Sequence, residues 1–119
     1  MSDDADFGQL ADDLSAEDLR IVLGVFATDV KRLTGNLNAA AAAEDVGTFK
    51  RVAHGLAGAA GAVGAKALEQ ACRIAMARAE SVPPRLHAVA EAIDALADSA
   101  LVQLATYTAQ LDGAKRETG

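Results

Sequence analysis

Two histidines and one cysteine are the side chains of this chain best suited to nucleophilic chemistry near neutral pH, and His54 is the best placed of the three. An exposed imidazole has a reference pKa of about 6.5, so much of it is neutral at pH 7, and a neutral ring nitrogen is a competent nucleophile. Around His54 the apolar residues Phe49, Val52, Ala53, Leu56, Ala60 and Val63 recur at spacings of three and four, one stripe of a helix. At about 100° per residue, His54 lies about 200° around the helix from Leu56. The leucine is predicted to face the core and the histidine to face water. Lys50 and Arg51 stand behind His54 on this outer face, with Gly55, Ala57, Gly58 and Gly61 ahead. The histidine is thus expected to stand in a clearing of small residues. Glycines in a helix interior cost stability, so their presence points to another protein's surface approaching closely, or to a neighbouring helix packed tightly there. By geometry alone, a lone exposed histidine is more often just a solvated residue.

The other reactive residues have plainer readings. His87 follows Leu86 and sits about 100° off the core stripe of its helix, a flank position with no matching motif. Cys72 falls on an inward stripe and reads as a small core hydrophobe rather than a redox residue. The histidines lack the close spacing of a metal site and there is no cysteine cluster, so no metal is expected. The stretch AGAAGAVGAKA looks faintly like a phosphate loop. It lacks the preceding strand and the Lys-Ser/Thr pair of a P-loop, and no kinase-like glycine-rich loop is present. With no nucleotide site, the chain is not expected to be a kinase on its own.

The elements that must position His54 read as helices. Residues 1–14 are expected to be partly disordered or a short helix over about Ala5 to Asp12, with Phe7, Leu10 and Leu14 inward. Ser15 then looks like an N-cap followed by Glu17 and Asp18, acids where the helix dipole favours them. The stripe Leu19, Val22, Leu23, Phe26, Val30, Leu33 and Leu37 carries that helix to about Ala43, with Gly35 weakening it locally. Asp45 is the next cap candidate, and Gly64 is placed to end the histidine helix. Another helix is predicted over about Ala65 to Ala79, with Leu68, Ala71, Cys72, Ala75 and Met76 inward. Ser81-Val82-Pro83-Pro84 is a break, with proline placed to start the last helix. That helix carries Leu86, Val89, Ala90, Ile93, Leu96, Ala97, Leu101, Leu104 and Leu111. Gly113 is predicted to stop it, leaving 113–119 as a flexible tail. No alternating strand pattern or repeat is visible. Four amphipathic helices with short connections over 15–112 read as an all-α, antiparallel four-helix bundle.

Composition narrows the function. The chain has 119 residues, one domain's worth, and a formal net charge of −6. Nucleic acid and anionic membranes repel such a surface. Aromatics are 3% of residues, without tryptophan, which argues against stacking platforms for bases. No run approaches the roughly 20 apolar residues of a membrane span. The acidic opening MSDDADFGQL is neither a signal nor a transit peptide. A single cysteine fits a reducing, cytoplasmic setting.

The segment AHGLAGAAGAVGAKALEQAC resembles the signature of histidine-containing phosphotransfer domains, matching it at Ala53, His54, Leu56, Gly58, Ala59, Ala60, Gly64, Ala65, Leu68 and Cys72. The likeness extends upstream through Phe26, Leu33, Leu37 and Asp45, and covers about Ser15 to Leu111. It implies that His54 accepts a phosphoryl group from an aspartate of one receiver domain and returns it to another in a phosphorelay. Receiver domains and hybrid histidine kinases would be the partners, and Mg²⁺ would sit on the receiver, with no cofactor held by this chain. Lys50, Arg51, Gly55, Ala57, Gly58 and Gly61 would form the docking and phosphoryl-facing surface of a monomer. Two positions depart from the family pattern. A lysine common three residues after the histidine is Ala57 here, and a Gln or Glu that holds the imidazole is replaced by Met76. These departures keep open a second reading, a module of the same fold that binds receivers without transferring phosphate.

Overall fold

The computed structural model describes residues 7–79 and 86–118, and every element among them is helical. They are α1 (Phe7–Ala11), α2 (Ala16–Ala42), α3 (Val46–Ala62), α4 (Lys66–Arg78) and α5 (Leu86–Thr118). Helices α2 to α5 form the bundle. Each packs on its chain neighbour and α5 returns against α2, so the four close a ring around one core. The apolar stripes read from the sequence are the residues that fill it. Leu19, Leu23, Phe26, Val30 and Leu37 of α2, Phe49, Ala53, Leu56 and Ala60 of α3, Leu68, Cys72 and Ala75 of α4, and Leu86, Ala90, Ile93 and Ala97 of α5 are all buried. Many of them are alanines, which lets the helices approach closely.

Two turns of related geometry reverse the chain on either side of the histidine helix. After α2, Glu44 N–H donates to Ala41 O and Asp45 N–H to Ala40 O, with Glu44 at φ 55°. After α3, Gly64 N–H donates to Gly61 O and Ala65 N–H to Ala60 O, with Gly64 at φ 81°. Both satisfy the last helical carbonyls through one left-handed residue. Glycine fills that position in the second turn as the sequence suggests. Glutamate fills it in the first.

Polar contacts hold α5 antiparallel to α2. Arg20 pairs with Asp112 at 2.7 Å near one end. Asn38 Nδ2 donates to Asp94 Oδ2 at 2.9 Å nearer the other. With 27 and 33 residues, α2 and α5 outrun α3 and α4, which have 17 and 13, and the molecule is 54 Å long but 26 and 20 Å across. The short α1 covers part of the overhang. Phe7 is 3% exposed, its ring centroid 5.7 Å from that of Tyr107, while Leu10 and Leu14 pack half-buried on the core.

Helix α5 does not stop at Gly113 but continues to Thr118, so residues 113–118 are helical rather than a loose tail. An interior glycine costs a helix only about 1 kcal/mol, and the alanine, lysine, arginine and glutamate that follow are strong helix formers. The expected disorder at the N-terminus and the Pro83-Pro84 start of the last helix fall on positions 1–6 and 80–85, outside the described residues.

Candidate functional site: the exposed face of α3

Helix α3 is capped at both ends and packed along one side between them. At its start, Asp45 accepts hydrogen bonds from Thr48 N–H at 3.1 Å and from Thr48 Oγ1 at 2.7 Å. The side-chain bond, then the backbone bond, hold the Asp45 carboxyl below its ordinary pKa. Along the helix, Phe49, Ala53, Leu56 and Ala60 are fully buried. His54 is exposed, as the rotation about the helix axis predicts. It is carried near the middle of α3 on a convex face, and the cleft of about 350 Å³ between the end of α1 and the α3–α4 turn does not include it.

The surroundings of His54 differ from the expected clearing in two respects. A Cβ added at Gly58, one turn after the histidine, would meet nothing within 4 Å, and one at Gly55 would meet only Leu33 Cδ2 at 3.9 Å. These two glycines do form an open floor. Gly61 does not, because a Cβ there would lie 2.9 Å from Glu69 Oε2 of α4. Of the two roles open to the glycines, close packing of a neighbouring helix holds at this one. Ala57 is 1% exposed and belongs to the core, so its placing on the docking surface is corrected. It lies only about 40° from Ala53 and 60° from Ala60 around the axis, on the flank of the buried stripe, and the packed bundle covers it.

The cations also differ from a simple outer row. Lys50 is half-buried and engaged by a partner. Arg51 is exposed, but its Nη2 donates to Thr48 Oγ1 at 3.1 Å, which draws the guanidinium toward the helix start and away from His54. On α4, Arg73 pairs with Glu69 through Nη2 at 2.8 Å and Nε at 3.2 Å. Sequence reading did not single out this pair, although its i,i+4 spacing was there to be seen. Met76 packs half-buried against the core and offers a thioether where a Gln or Glu would offer a hydrogen bond.

The remaining candidates behave as the plainer readings expected. Cys72 is fully buried and burial pushes its thiol up to about 12, the state of an inert core residue. His87 is exposed on the flank of α5, with Nε2 3.6 Å from Glu91. Among the described residues no group of side chains could hold a metal ion, and no helix is long and apolar enough to cross a membrane.

A family model described as the Hpt domain matches residues 21–113, most of the bundle and all of α3. The chain belongs to the Hpt domain family. No curated protein and no solved structure matches it. The family and the four-helix fold agree, and together they make this chain a histidine phosphotransfer module of two-component signalling, a phosphocarrier type without kinase activity. Within this Hpt domain, α3 is the helix that carries His54.

Proposed function

We propose that this Hpt domain relays a phosphoryl group between aspartates of receiver domains through His54. The observation that carries the reading is the exposed imidazole on a packed helix, flanked by Gly55 and Gly58, where the chain's own packing leaves room for a partner's surface. An unprotonated ring nitrogen attacks the phosphorus of an aspartyl phosphate in line. The N–P bond forms as the bond to the carboxylate oxygen breaks, and that electron pair stays on the carboxylate. The reverse step delivers the group to the next aspartate. The receiver supplies Mg²⁺ and most of the charge stabilisation, so this chain needs no cofactor of its own. What it contributes is position, with the nucleophile held on a helix whose buried side is locked in the core.

Receiver domains and the hybrid histidine kinases that carry them are the partners under this reading. Gly55 and Gly58 form the floor of the docking surface and Lys50 and Arg51 lie at its edge. The setting is cytoplasmic and the module works as a monomer. The test is transfer from phosphorylated receiver domains to the purified protein, with His54→Ala alongside. Acid-labile, base-stable label on the wild type and none on the variant is the expected result. Binding of receivers without label on the wild type would replace the relay with a non-transferring module.

A further inference from the structure

We infer that Arg73 of α4 is the cation that meets the phosphoryl group on His54. The inference rests on His54 being the phosphorylated residue. His54 and Gly61 are seven residues apart on α3, which brings them to within about 20° of the same face. Gly61 lies against the Glu69 carboxylate, so the face of α3 that carries His54 borders α4. The two helices are antiparallel, and passing from Glu69 to Arg73 moves back along the bundle toward His54. His54 lies about 10 Å from the level of Gly61, and Arg73 about 6 Å from the level of Glu69. Taking Glu69 as level with Gly61, the Cα of Arg73 falls within about 5 Å of the level of His54.

The cations on α3 itself are already engaged. Lys50 is half-buried and partnered, and Arg51 is drawn back to Thr48. Among the described residues Arg73 is bound by an i,i+4 ion pair to Glu69, with its own side chain 59% and that of Glu69 28% exposed. An i,i+4 pair open to water on the arginine side is weak. A phosphoryl group carries about −1.5 to −2 charges and three strong acceptor oxygens, and competes well against one carboxylate for a forked guanidinium. Phosphorylation of His54 thus turns the Arg73 side chain from Glu69 toward the phosphohistidine. Glu69 parks the arginine in the unmodified state.

The test needs no receiver domain. Phosphoramidate phosphorylates the protein in a His87→Gln background: the lone pair of a ring nitrogen of His54 forms the N–P bond, and the P–N bond of the reagent breaks to release ammonia. Phosphorus NMR then follows the titration of the phosphoryl group. Arg73→Ala is expected to raise its apparent pKa by roughly half a unit, Arg73→Lys to restore part of the difference, and Glu69→Gln to lower the pKa below that of the parent protein. The Arg73 Nε–H resonance is expected to move on phosphorylation. Titration curves that coincide with and without Arg73, or an unmoved Arg73 resonance, overturn the proposal. Failure of receivers to transfer to His54 would overturn the relay instead, and these measurements would still report on Arg73.

Discussion

At the residue scale, the face around His54 separates what the chain itself occupies from what it leaves open. At Gly61 a side chain would meet the Glu69 carboxylate, which would have to move aside to admit it. At Gly58 a methyl meets nothing within 4 Å. A helix gains up to about 1 kcal/mol when an exposed interior glycine becomes alanine, so the fold alone would favour alanine at 58. Gly58→Ala is therefore expected to raise the urea-unfolding free energy by about 0.5–1 kcal/mol. An extra methyl in a close interface costs about 1–3 kcal/mol, so the same variant is expected to slow transfer from a receiver roughly tenfold or more. Transfer at the wild-type rate would show that no partner comes near this glycine. Opposite signs in the two measurements are what a docking floor requires and a purely structural glycine would not produce.

At the element scale, the turns that set α3 in place are unequal. Gly64 adopts its left-handed conformation without cost, whereas Glu44 holds φ 55° with a Cβ in the way. Glu44 is exposed and lies before the Asp45 cap. Glu44→Gly is expected to stabilise the protein by about 1 kcal/mol, read as a higher urea midpoint with an unchanged slope. A variant no more stable than the wild type would mean that the left-handed strain is offset by the glutamate side chain. Both turns were partly legible in the sequence. Asp45 and Gly64 were recognisable as cap and stop from their types and places, but nothing in a glutamate announces positive φ. That conformation is imposed by the closing hydrogen bonds to Ala40 and Ala41.

At the scale of the whole molecule, two long helices overhang two short ones, and the N-terminal segment closes part of the gap. Phe7 is the contact that does this, buried to 3% and set against Tyr107, at the end of the molecule away from the α2–α3 turn. Phe7→Ala is expected to cost on the order of 3 kcal/mol of stability while leaving the transfer rate of the folded protein unchanged, since α3 and its exposed face do not depend on it. A variant as stable as the wild type would make α1 a surface attachment rather than a part of the core.

The amino-acid sequence by itself determined the helices, their inward faces and the outward placing of His54. Apolar spacing of three and four has one solution on a helix, and a residue about 200° from Leu56 cannot share its burial. It also determined the caps at Ser15 and Asp45, where a short polar side chain finds the backbone N–H three residues on. Tertiary structure decided the positions that periodicity leaves on the boundary. Ala57, at the flank of the stripe, became core because of how closely its neighbours stand. Gly61 came to lie against another helix because the Glu69 carboxylate reaches it, and Lys50 became half-buried. These outcomes depend on distances between helices, which the rotation of a single helix does not contain.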